Sequence, residues 1–302
     1  LYSCSRDTTV RQWDRSKTVP EAARVFEGHD LACTALALSA DERTLCSGSR
    51  DTSLRLWDVE TGICKASASV PRNLVTCVKH LPAESPSVVQ GGEDLRIRVW
   101  DAREGSLRPA MTIEGYEFFP VCLDVSEDGV EILTSCKGFN GVGCETKLWD
   151  LRYTAAPVRE FTGHTQDTTA CVFVQDNDGD RSAARKAGEQ GLGEEVVSEA
   201  GGGQTGETAR ISGLVATASK DETIKIYDLS TGQIVVDHSE HESGCYTGLA
   251  FQRDPRTGCP VFYASTITGG LYVLRLEAGE GEGEERGLRL RCVGFVQGNE
   301  IL

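Results

Sequence analysis

The sequence predicts an all-β fold, a propeller assembled from repeated four-stranded blades. Three features of its 302 residues predict it. A pattern ending in Trp-Asp recurs, its copies are almost evenly spaced, and the stretches between them alternate apolar and polar residues with the period of a strand. No stretch carries a convincing helical period.

The pattern is SCSRDTTVRQWD at 3–14, SGSRDTSLRLWD at 47–58, QGGEDLRIRVWD at 90–101 and TASKDETIKIYD at 217–228. A further copy ends as KLWD at 147–150, and a degenerate one, ASTITGGLYVLR, runs over 264–275. Trp13 to Trp57 is 44 residues, Trp57 to Trp100 is 43 and Trp100 to Trp149 is 49. Trp149 to Tyr227 is 78, which falls to one repeat once an acidic loop is set aside, and Tyr227 to Leu274 is 47. A period of about 40–45 residues closing on Trp-Asp is the length of one propeller blade.

Within one unit the elements follow in order. Residues 33–39 (CTALALS) alternate and form the innermost strand. Residues 44–49 form the second strand and 53–58 the third, with Leu54 and Leu56 on one pleat face. Arg50-Asp51-Thr52 is the hairpin turn between them, where Asp tolerates the tight geometry. Residues 62–67 form the outer strand, and 287–296 (GLRLRCVGFV) reads as the outer strand of the last blade.

These repeats resemble the WD40 family over nearly the whole chain. The resemblance implies a buried network in each blade, joining a His in a Gly-His loop, a Ser or Thr on the second strand, the turn Asp and the Trp. One complete set is present: His29, Ser47, Asp51 and Trp57. Asp7 with Trp13, Asp94 with Trp100, and His164 with Asp221 are partial sets. The blade ending at Trp100 has Pro71 near its expected His. The blade ending at Trp149 has Gly115-Tyr116 for Gly-His and a long turn, 137–143 (KGFNGVG), without the Asp. The blade ending at Tyr227 has Tyr for Trp. An Asp-His-Ser set invites comparison with a protease triad, but recurrence in register marks this one as structural.

Six third strands are present, and the first blade begins at its second strand. The expected architecture is one propeller over 1–302, with about six blades in this chain and seven in the full protein. A six-bladed ring lacking only an N-terminal strand is the alternative.

Beyond the generic repeat, SGSRDTSLRLWDVETG, SASVPRNLVTCV, LTSCKGFNGVGCETKLWDLR and GHTQDTTACVFV are similar to the family of WD repeat-containing protein 31. That resemblance implies a seven-bladed, non-enzymatic ciliary scaffold supporting intraflagellar transport or related trafficking. Trp100-Asp-Ala-Arg103 and Trp149-Asp-Leu-Arg152 resemble the Trp-Asp-x-Arg box of substrate receptors for cullin-4 ubiquitin ligases, a weaker signal.

The turns carrying the Asp residues are expected on one face. There Arg6, Arg50, Glu93 and Lys220 would ring the central opening, as a binding surface or as an ordinary solvated charge ring. The loop 116–120 (YEFFP) holds three aromatics in five residues. Tyr116 and Phe118 are expected to bind protein, Phe119 to pack between blades, and Phe139 to share their face.

The net charge of −15 argues against nucleic acid as a partner, because phosphate binding needs a basic footprint. Two segments contribute −4 each: a Gly-rich insert at 176–210, expected to be flexible, and a loop at 277–286. The insert opens like a calcium loop but has Arg181 and Ala187 where Gly and Glu are needed. The twelve Cys lack paired spacing and read as reduced, buried thiols, with Cys136 and Cys144 the one candidate pair for a metal or disulfide. No phosphate loop, zinc-protease motif or nucleophile elbow is present. No run reaches the ~18 apolar residues that span a bilayer.

The expected function is a non-enzymatic scaffold of the cytoplasm and of the cilium or flagellum, without cofactor or metal. Its partners would be other proteins, not nucleic acid, and no insertion into membrane is expected. A cullin-4 substrate receptor and a structural axonemal component are the alternatives.

Overall fold

The computed structural model describes residues 1–14, 16, 21–82, 86–103, 106–174, 213–240, 244–279 and 288–297. Its strands form six antiparallel sheets, one of three strands and five of four. Blade 1 holds β1 (Tyr2–Cys4), β2 (Val10–Asp14) and β3 (Glu21–Phe26). Blade 2 holds β4 (Cys33–Leu38), β5 (Thr44–Ser49), β6 (Ser53–Asp58) and β7 (Cys64–Ser69). Blade 3 holds β8 (Val75–His80), β9 (Ser87–Gly92), β10 (Arg96–Asp101) and β11 (Arg108–Ile113). Blade 4 holds β12 (Pro120–Val125), β13 (Glu131–Cys136), β14 (Thr146–Asp150) and β15 (Arg159–Phe161). Blade 5 holds β16 (Thr168–Val174), β17 (Leu214–Ser219), β18 (Ile224–Asp228) and β19 (Ile234–His238). Blade 6 holds β20 (Tyr246–Arg253), β21 (Pro260–Thr266), β22 (Gly270–Ala278) and β23 (Leu288–Gln297).

Strand composition follows depth. The second strands β9, β13 and β17 are buried at every residue, because a neighbouring blade covers each face. The outer strand β7 alternates half-buried and exposed residues. It starts two residues later than the expected 62–67, because Thr61 and Gly62 turn the chain: the Thr61 N–H donates to Asp58 Oδ1 at 2.7 Å. The Asp of Trp-Asp is thus a turn acceptor outside the core. The third strands and the outer strand of the last blade stand where expected.

The innermost strands β4, β8, β12, β16 and β20 pack successively side by side. Each carries a one-residue bulge near its start, at Thr34, Thr76, Val121, Thr169 and Thr247. Three of these threonines reach across to the next blade. Thr34 Oγ1 donates to the Val75 carbonyl at 2.6 Å, Thr76 Oγ1 to Pro120 at 2.6 Å and Thr169 Oγ1 to Tyr246 at 3.0 Å.

Between neighbouring blades lie the apolar cores. Trp57 packs on Val10 and Phe26 of blade 1, and Trp100 packs on Leu54 and Leu56 of blade 2. Two sheet faces lack such cover. Trp13 of blade 1 is only half-buried, whereas Trp57, Trp100 and Trp149 are buried. Leu271 of blade 6 is 38 % exposed, whereas Leu54, Ile97 and Ile224 at the same position are at most 1 % exposed.

The insert at 176–210 lies outside the described residues, as does most of the loop at 277–286. Glu277 and Ala278, assigned to that loop from sequence, instead end β22, opposite Arg289 and Leu288. Cys136 and Cys144 are both buried and unbonded, and among the described residues no cluster of metal-ligating side chains forms.

Candidate functional site

One face of the propeller is built by the loops before the inner strands and the turns after the second strands. Beneath it, in blade 2, the expected network closes. Trp57 Nε1–H donates to Ser47 Oγ at 2.8 Å, and Ser47 meets His29 Nε2 at 2.7 Å. His29 Nδ1 lies 2.9 Å from Asp51 Oδ2. Burial lowers the His29 pKa. Burial opposes ionisation of Asp51, but hydrogen bonds from Ser53, the Asp30 N–H and His29 hold its carboxyl down at about 2. A neutral imidazole beside a carboxylate fixes the tautomer: Nδ1–H donates to Asp51, and Nε2 accepts from the Ser47 hydroxyl. Ser47 is fully buried and its hydroxyl is held between the imidazole and the indole, out of reach of a substrate in solution.

The other blades solve the same problem with different residues. In blade 5, His164 pairs with Asp221 at 3.0 Å and Thr217 at 2.7 Å, while the Tyr227 hydroxyl donates to the Thr162 carbonyl. In blade 3, Trp100 donates to buried Gln90 at 2.7 Å, and Asp94 pairs with Arg98 in place of a His. In blade 1, Trp13 donates to Ser3, and exposed Asp7 takes Arg11 and Thr9. In blade 4, Tyr116 occupies the His place. It is 5 % exposed, its hydroxyl lies 2.8 Å from Thr134 Oγ1 and its ring 5.6 Å from that of Trp149. The surface position expected for Tyr116 is thereby corrected: a Gly-Tyr loop turns its ring inward as a Gly-His loop turns its imidazole.

The ring of residues after the second strands forms in register. The N–H of Arg50 donates to the Ala32 carbonyl, that of Glu93 to Leu74 and that of Lys220 to Asp167. Two members escaped the sequence reading: Lys137, donating to Phe119, and Ile267, donating to Cys245. Both follow directly on the second strand, a signal available by alignment but masked where the turn Asp is absent. Arg6, Arg50 and Lys137 are exposed, Glu93 and Lys220 half-buried, and Ile267 is 68 % exposed. Four of these six positions are basic and one is acidic.

Between blades 4 and 5 the rim opens into a groove of about 490 Å³, lined chiefly by Phe118, Phe119, Lys137, Phe139, Asp167 and Lys220. Phe118 and Phe119 are half-buried, and Phe139 is 68 % exposed. Of the aromatics expected here, the structure brings Phe118 and Phe139 together and leaves Tyr116 below.

On the opposite face, Arg103 folds onto Asp101 and Arg152 onto Asp150, each through Nε and Nη2. Both guanidinium groups therefore engage the Asp of their own Trp-Asp.

Residues 21–58 match the family described as "WD domain, G-beta repeat". One stretch of the chain, covering β3 to β6, thus matches a WD repeat. It is similar to nuclear distribution protein nudF of Aspergillus niger, 40 % identical over 65 residues, covering 21 % of this chain and 14 % of the relative. Nuclear distribution protein PAC1 of Fusarium vanettenii is 36 % identical over 72 residues, 21 % of this chain and 16 % of the relative. Autophagy-related protein 16 of Arabidopsis thaliana is 33 % identical over 78 residues, 26 % and 15 % of the two chains. The matches thus span well under two thirds of these relatives.

Proposed function

We propose that this WD40 protein is a non-enzymatic scaffold of the cytoplasm and cilium, binding proteins of ciliary trafficking or assembly through the face of the turns. The observation that carries the binding reading is the rim of Arg6, Arg50, Lys137 and Lys220 beside exposed Phe139. Exposed aromatics and arginines are the side chains that dominate protein interfaces. The ciliary reading rests on the resemblance of the Gly-rich 137–143 turn and its flanks to the family of WD repeat-containing protein 31. The uncovered faces of blades 1 and 6 support a seventh blade between them in the full protein.

The ligase-receptor reading is less favoured, since Arg103 and Arg152 are already tied to Asp101 and Asp150. Salt-resistant retention in purified axonemes would favour the structural axonemal reading over a trafficking role.

The test is tagging in ciliated cells, with co-purification by wild type and by the double variant Arg50→Glu, Lys137→Glu. Ciliary enrichment and loss of co-purifying proteins from the variant are expected. A diffuse protein with normal cilia on its removal would contradict the ciliary reading, and an unchanged partner set would contradict the face.

A further inference from the structure

The Gly-rich turn after β13 holds an aromatic in water on a rigid support. The Phe139 N–H donates to the Val142 carbonyl at 2.9 Å and the Val142 N–H returns to Phe139 at 3.1 Å, closing a miniature hairpin. The Gly141 N–H ties that hairpin to Thr165 of the next blade at 3.0 Å. Gly138 is packed so closely that a Cβ there would lie 2.2 Å from the Gly143 carbonyl carbon. Gly143 has φ +73°, and a Cβ on it would lie 2.1 Å from the Phe118 ring. Phe118 is thus the floor of the hairpin, and Phe139 and Val142, 68 % and 59 % exposed, are its outward tip. An apolar tip fixed in advance avoids the entropy cost of ordering a loop when a partner arrives.

The charges beside it are unequal. Lys220 is neutralised by Asp167, Nζ to Oδ2 at 2.6 Å. Lys137 is exposed and its Nζ lies 5.0 Å over the Phe119 ring, with no carboxylate paired to it among the described residues. Glu117, in the neighbouring loop, does not line the groove. A cation resting on an aromatic shelf at the edge of an apolar groove is complementary to a carboxylate that arrives next to a bulky apolar side chain.

We propose that the groove between blades 4 and 5 binds an extended acidic peptide of a partner protein. The peptide sets an Asp or Glu carboxylate on Lys137 Nζ and a neighbouring Leu-, Met- or Phe-sized side chain between Phe118 and Phe139. This deepens the scaffold reading and rests on it, naming the chemistry of the segment that the face takes.

The test is selection from a random-peptide phage library on the intact 302-residue chain, followed by fluorescence anisotropy of the selected peptides. Lys137→Gln and Phe139→Ser, both at exposed positions, are compared with Arg103→Ala on the far face, with melting curves confirming the fold of each. The selected peptides are expected to share an acidic residue within two positions of a large apolar one. Each groove variant is expected to weaken binding about tenfold or more, about 1.4 kcal/mol. Arg103→Ala leaves it unchanged, and added salt weakens it. Four results would overturn the proposal: no enrichment, peptides without the acidic residue, affinities that survive both groove variants, or tighter binding of a single-stranded DNA oligonucleotide. Peptides that bind but survive the groove variants remove the groove while leaving the scaffold reading, which the co-purification experiment tests separately.

Discussion

Ser47 stands between the Trp57 indole and the His29 imidazole and serves both through one oxygen. Ser47→Ala would leave a buried N–H and a buried ring nitrogen without partners, at a cost of about 2–3 kcal/mol in urea unfolding. Ser47→Thr is expected to be near neutral, because Thr217 holds that place in blade 5. His80 is a second, separate residue to test. Its Nε2 is buried without a partner among the described residues, and burial pushes its pKa down to about 4, with Asp41 opposing. Below the ordinary histidine value of about 6.5 the unfolded chain takes up a proton that folded His80 refuses. The stability that His80 contributes is therefore complete above about pH 6.5 and lost as pH falls toward about 4. Denaturation at a series of pH values is expected to show this loss, about 3 kcal/mol, and His80→Gln to reduce it. His29 and His238, also lowered by burial, keep part of the slope. At this scale the His29 set was legible because its residue types recur in register. Tyr116 was not: an aromatic after Gly reads equally as surface or as filler, and only the partner at Thr134 distinguishes them.

Among the elements, the inner-strand threonines join blades whose strands splay too far for a shared ladder. Thr76→Val keeps shape and removes the bond to Pro120, and is expected to cost about 1 kcal/mol. The turns after the second strands carry a different cost. The residue after the Asp adopts left-handed φ in four blades, at Thr8, Thr52, Leu95 and Glu222, with φ from 64° to 73°. Blade 6 has Gly269 there. Glu222 is exposed, so Glu222→Gly is expected to relieve backbone strain and stabilise by about 0.5–1 kcal/mol, read from the unfolding midpoint. Strand order and the third strands were legible from the Trp-Asp period. The bulges were not, since one extra residue leaves alternation intact on either side. Lys137 and Ile267 were missed for a related reason: the turn was recognised by its Asp, although its position is set by the end of the second strand.

In the molecule as a whole, five sheets reach the full four strands and the blade faces between them are sealed. The uncovered faces at Trp13 and Leu271 are the same pleat positions that neighbours bury elsewhere, which is why we propose a further blade there. Protection of both faces from hydrogen exchange in the full protein is expected, to the level seen beside Trp57. Repeat number and fold class were readable from spacing alone. The proposed binding face was readable only in part, because which aromatics reach solvent depends on how one blade leans on the next. We propose that this propeller holds proteins by the rim between blades 4 and 5, where Lys137 and Phe139 are exposed. Cross-linking mass spectrometry of the protein purified with its partners from ciliated cells tests it most directly. Partner cross-links concentrated at Lys137 and Lys220 are the expected result; cross-links concentrated at Lys65, away from that rim, would contradict it.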